Sequence, residues 1–289
     1  MNRGVYAAGI AAFCLAVSFA AAAVTLKDDL GRDVALAQPA RRIVTLAPFL
    51  TELAFAAGAG DRVVGVSAYS DYPPAARALP IVSSAVGVSL EQLAALKPDF
   101  VIAWRDSFRV EDIPRIEQFG AAVFIVHGRR LEDVPRLLRT FGAAAGLDVS
   151  APSARFESEV AALRAKYSRR ARVDVFLEIW NKPLTTIAGD HFMNDALAIC
   201  GARNVFKDRA GVAPQVSWEE LYVRDPPIIV GTGSASNAAE FQANWSAHPT
   251  LSAVKARRLA WIDADTLQRP TLRTPQGIAQ LCAALDRLR

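Results

Sequence analysis

Residues 42–104 read RIVTLAPFLTELAFAAGAGDRVVGVSAYSDYPPAARALPIVSSAVGVSLEQLAALKPDFVIAW. Three short apolar runs punctuate this stretch, Ile43 to Leu46, Val63 to Val66 and Phe100 to Trp104. Such runs suit strands buried on both faces of a sheet, and the segments between them have helical character. The same alternation continues with Val123 to Val126, Val173 to Leu177, Ile228 to Val230 and Leu259 to Ile262. Strands alternating with helices predict parallel-sheet α/β lobes.

Two segments repeat each other across the chain. Ser89, Glu91 and Pro98 in SLEQLAALKPDFVI fall in register with Ser217, Glu219 and Pro226 in SWEELYVRDPPIIV. Each predicts a short helix, a proline stop and a strand, so the unit occurs once per lobe and a duplicated, bilobal architecture follows. Between the halves, Ser150 and Pro152 open a helix by cap and N-terminal proline. Phe156, Val160, Leu163 and Tyr167 share one face of it, which predicts a single long helix from Ala151 to Arg169 joining the lobes. The expected partition is a secretory segment 1–23, a first lobe 24–150, the joining helix 151–170 and a second lobe 171–289.

The chain has 289 residues and is 52% hydrophobic, ample for two lobes with buried cores. Its formal charge of +4 is scattered, with no block of like charges, which argues against a nucleic-acid partner. The N-terminus carries Arg3, an apolar run from Val5 to Phe19 and Ala21 and Ala23 in small-x-small positions, the shape of a secretory signal cleaved before Val24. Competing readings are a membrane anchor, for which the stop-transfer flank is lacking, and lipidation at Cys14, for which Phe13 is too large. Removal of the signal leaves Cys200 and Cys282, an even count that favours pairing in an oxidising compartment over two free thiols. Closing a loop of about 80 residues contributes ~4 kcal/mol in the chain-entropy account.

No catalytic constellation emerges. His127, His191 and His248 are far apart in sequence and lack the spaced partners of a metal site, so each is expected to be a surface or packing residue. Gly231-Thr-Gly233 lacks the third glycine of a dinucleotide loop and the elbow pattern of a hydrolase, and reads as a strand-to-loop turn. Ser89 with Gln92, and Ser217 with Glu220, have the form of capping boxes, and a glutamate beside each serine suits the first turn of a helix.

The segments TLAPFLTELAFAAG, GVSAYSDYPP, SLEQLAALKPDFVIAW, VFLEIW, CGARNVF and APQVSWEEL, in this order, resemble the cobalamin and iron-siderophore substrate-binding family of ABC importers, and within it the cobalamin binders most. The resemblance spans nearly the whole mature chain. It implies a helical-backbone periplasmic binding protein, two Rossmann-like lobes with small hinge motion, and a monomer that uses no cofactor or metal. It further implies a disulfide between Cys200 and Cys282, and docking of Glu91 and Glu219, one per lobe, onto arginines of the membrane permease subunits. Tyr69, Trp104, Asp265 and Arg269 match positions that line the corrinoid pocket. Aromatic walls with a few fixed polar groups suit a large flat ring fringed with amides.

Departures from that pattern thin the expected pocket. Ala85, Ala213 and Thr266 stand where the cobalamin binders place tryptophan, and Ile179 stands where they place phenylalanine, with Trp180 and Phe108 as candidate replacements. The ligand implied is cobalamin or a related corrinoid, with a ferric siderophore or haem as the alternative. An exported α/β enzyme is the reading from a different class.

Overall fold

The structure, a computed structural model, describes residues 23–289. Residues 1–22 of the expected secretory segment, with Cys14 and Ala21, lie outside the described residues. A hairpin of β1 (Val24–Lys27) and β2 (Asp33–Leu36) precedes the first lobe's main sheet. That lobe's six-stranded sheet comprises β3 (Ile43–Leu46), β4 (Val63–Ser67), β5 (Ile81–Ser84), β6 (Gly87–Val88), β7 (Phe100–Trp104) and β8 (Ala122–Val126). Its spatial order is β6-β5-β4-β3-β7-β8, parallel throughout except for β6. The second lobe holds β9 (Val173–Glu178), β10 (Ala202–Asn204), β11 (Ile228–Gly233) and β12 (Leu259–Asp263), all parallel, in the order β10-β9-β11-β12. Each of the seven apolar runs read as strands is a strand.

One long helix, Ser150–Tyr167, runs between the two sheets in the chain. Its apolar face buries Phe156, Val160 and Tyr167 in a core that also contains Phe124 and Phe141 of the first lobe and Val175, Leu197 and Leu281 of the second. A connector packed into a shared core at close-packed density moves with both lobes and not as a free hinge. Ser150 does not cap this helix as expected. Val149 occupies the cap position without a side-chain bond, and Asp148 Oδ1 instead accepts the Ser150 N–H at 2.9 Å.

The duplicated unit is present in both lobes: Leu90–Ala95 leads into β7, and Trp218–Arg224 leads into β11. Only the second copy forms a complete capping box, because Ser89 Oγ accepts the Gln92 N–H at 3.4 Å without a return bond, whereas Ser217 and Glu220 bond reciprocally. Gly231 and Gly233 lie inside β11 and are not a strand-to-loop turn. A Cβ at Gly231 would stand 2.4 Å from the Phe241 ring and 2.7 Å from Trp261, and one at Gly233 2.5 Å from Trp261. The pair is glycine because the Phe241 and Trp261 rings occupy the space a Cβ would need. Cys200 and Cys282 are joined in a disulfide that ties the end of helix Met193–Ile199 to helix Thr274–Leu288.

Candidate functional site

In the first lobe the chain passes from β3 to β4 on one side, while β7 lies against β3 on the other. The carboxyl ends of β3 and β7 therefore flank a topological switch point, where open parallel sheets form their ligand crevice. Pro48 and Phe49 follow β3, and Trp104 ends β7. With His127 they form one side of a cavity of about 150 Å³, which the second lobe closes with His191, Phe192 and Arg269. Trp104 is held in place by donating Nε1–H to the His127 carbonyl at 2.8 Å and by meeting the Phe49 ring edge-on at 6.0 Å.

Two histidines thus share this cavity, contrary to the surface or packing role expected of them; the apposition of the two lobes, which sequence spacing does not reveal, brings them together. His191 Nδ1 accepts the Met193 N–H at 3.2 Å. Burial, reinforced by the Arg129 charge, lowers the His191 pKa to about 4, so the ring is neutral near pH 7. His127 Nδ1 is buried without a partner among the described residues. His248 does pack as expected, stacking on Trp218 at 3.8 Å and meeting the Tyr222 hydroxyl.

Ion pairs between the lobes line both rims of the cleft. On one rim Glu52 of the first lobe, its side chain only 3% exposed, receives Arg273 at 2.6 Å and Arg269 at 3.1 Å. Arg269 also pairs with Asp71 at 2.8 Å and Asp265 at 3.1 Å, and donates to the Tyr69 carbonyl at 3.4 Å. Burial alone would raise the Asp71 pKa, but the hydrogen bond and charge of Arg269 outweigh it and hold that carboxyl below its ordinary value. On the opposite rim the signs reverse: Arg129 of the first lobe pairs with Asp190, and Arg130 with Asp195 at 3.1 Å.

Arg269 and Trp104 therefore line the cavity between the lobes, and Arg269 ties Tyr69 and Asp265 to its rim. Tyr69 presents a largely exposed ring, with 79% of the residue accessible. Trp180 is apart from this group. It is exposed and lines a second cavity, of about 270 Å³, within the second lobe. Phe108 is 4% exposed, in the core beside Ile113 and Ile116, and so offers no replacement wall. Glu91 and Glu219 are both exposed in the first turns of their helices. The sequence reading missed Glu52 and Arg273. A signal was present, since Glu52 is the single charge in the largely apolar helix Pro48–Ala56, and a charge there needs a partner.

The profile of the family described as periplasmic binding protein matches residues 43–266. A Vibrio parahaemolyticus protein named vitamin B12-binding protein is 33% identical over 247 residues, 85% of this chain and 89% of the relative. The crystal structure of the periplasmic vitamin B12 binding protein of Vibrio cholerae superposes with a TM-score of 0.78 at 33% identity, covering 86% of this chain and 98% of that one. A periplasmic heme-binding protein from Roseiflexus sp. RS-1 shares the fold at a TM-score of 0.73 and 22% identity, covering 86% of this chain and 99% of that one.

Proposed function

The chain belongs to the periplasmic binding protein family, and from that premise we propose that it captures cobalamin or a related corrinoid between its lobes and hands it to an ABC importer. The observation that carries this reading is the aromatic cavity of Phe49, Trp104 and Phe192, at the first lobe's switch point and closed by the second lobe. A flat ring with apolar faces gains most from such walls. The cavity's 150 Å³ is below the ~300–1,000 Å³ usual for ligand sites, so capture requires the lobes to part against the ion pairs at their rims.

In this reading Trp104 meets the ring face, Tyr69 and Trp180 cover it from the first and second lobes, and Asp265 with Arg269 holds its polar fringe. No bond is made or broken. The mature protein acts in the periplasm as a monomer, with lobes 24–150 and 171–289 on either side of the helix within 151–170. Glu91 and Glu219 meet cations of the permease subunits, one anchor per lobe; charges at an interface rim act through encounter and orientation.

Uptake of labelled corrinoid by cells lacking their own receptor tests the proposal. Expression of this chain should restore uptake, and Glu91→Arg with Glu219→Arg should abolish it while leaving corrinoid affinity within about twofold, since neither residue lines either cavity. Full uptake by the double variant at low abundance contradicts the docking role. Failure of the wild-type chain to restore uptake contradicts the function.

A further inference from the structure

The second lobe has its own switch point. The chain passes from β9 to β10 on one side and places β11 on the other, so the carboxyl ends of β9 and β11 diverge as those of β3 and β7 do. The 270 Å³ cavity lies there, lined by Glu178, Ile179, Trp180 and Asn181 from β9 and the loop after it, and by Thr232 of β11. Its wall is aromatic where Trp261 and Phe241 lie over Gly231 and Gly233. Gln268, which lines the cavity between the lobes, donates to Thr232 Oγ1 at 2.6 Å, so the two cavities share a wall.

The chemistry of this second cavity is that of a hydrogen-bond acceptor site with donors around it. Glu178 is 5% exposed, and its Oε2 accepts both Trp245 Nε1–H at 2.7 Å and Asn181 Nδ2–H at 3.4 Å. Among the described residues only its Oε2 accepts a side-chain hydrogen bond, and Oε1 opens onto the space the residue lines. A carboxylate oxygen that opens onto a cavity has acceptor capacity free for a ligand's donor. Glu240, Asn237 and Asn244 complete the polar lining, and among the described residues Lys182 is the one cation in it.

We infer that this cavity is a subsite for an uncharged N–H-donating arm of the ligand, namely a primary amide on the corrinoid periphery, and that it rejects the corresponding carboxylate. The inference rests on the corrinoid reading above and adds a specificity element to it. A primary amide offers N–H to Glu178 Oε1 and its carbonyl to an asparagine N–H. A carboxylate arm would face Glu178 and Glu240 with like charge, the repulsive half of a specificity device. Burial outweighs the Asn181 and Trp245 hydrogen bonds and raises the Glu178 pKa, and the Glu240 charge acts in the same direction.

The test compares two corrinoids by titration calorimetry on the mature chain: cobinamide, whose arms are amides, and cobyrinic acid, whose arms are carboxylic acids. Wild type should prefer cobinamide by about tenfold to a hundredfold. Glu178→Gln keeps an oxygen for Trp245 and presents a donor to the cavity; it should shrink that preference at least threefold. Glu240→Gln, at an exposed position where folding is not at stake, should shrink it in the same direction. A preference unchanged in both variants overturns the subsite and leaves the receptor standing. Absence of binding by either corrinoid to wild type removes the corrinoid reading and this inference with it.

Discussion

The two lobes place a cavity at the same point of a duplicated plan, yet the two cavities are built differently. The first, beyond β3 and β7, is walled by Phe49 and Trp104 and exists only because the other lobe lies against it. The second, beyond β9 and β11, is made by one lobe alone, with Glu178 and three asparagines beside its indole rings. Duplication preserves the crevice that strand order dictates, while the side chains around each crevice are free to diverge. The cavity between the lobes therefore depends on the ion pairs that hold the lobes together, and the cavity within the second lobe does not.

Removing the deepest of those pairs should have the largest effect. Glu52→Ala leaves Arg269 and Arg273 without their buried acceptor, and loss of one partner of a buried pair costs about 3 kcal/mol. Urea unfolding should show that loss, while Asp190→Ala, whose carboxylate is 59% exposed on the opposite rim, should cost less than about 1 kcal/mol. Equal costs at the two rims would erase the distinction between a buried clamp and a surface contact.

A smaller effect separates the cavities by pH. The His191 pKa is about 4 in the folded chain against an ordinary 6.5. Below pH 6.5 the unfolded chain binds a proton there that the folded chain refuses, so stability falls as pH drops from 6.5 to about 4. His191→Asn keeps an acceptor for the Met193 N–H and should flatten this part of the stability profile. An unaltered slope in the variant would show that the ring is not held neutral in the cleft.

The fold was legible because it rests on local signals. Buried strands announce themselves as apolar runs, the joining helix as a four-three-four stripe from Phe156 to Tyr167, and the duplication as matched serine, glutamate and proline. Trp104 and Arg269 were reachable through resemblance. The partners of Arg269 were not: Glu52 and Asp71 lie about 200 residues away, and only the apposition of two lobes makes them neighbours. The same holds for His127 and His191. Gly231 and Gly233 were misread for a related reason, because the rings that require them come from Phe241 and Trp261, on other elements.

The central claim is that a corrinoid is held between the lobes against Trp104. Titration of wild type and Trp104→Ala with cobinamide, cobalamin, haem and a ferric siderophore tests it most directly. The account predicts one corrinoid per wild-type chain, quenched tryptophan fluorescence, and about a thirtyfold weaker affinity in the variant, equivalent to ~2 kcal/mol for an aromatic wall at a desolvated centre. Saturable binding of haem or siderophore alone, or corrinoid affinity indifferent to Trp104, would contradict it.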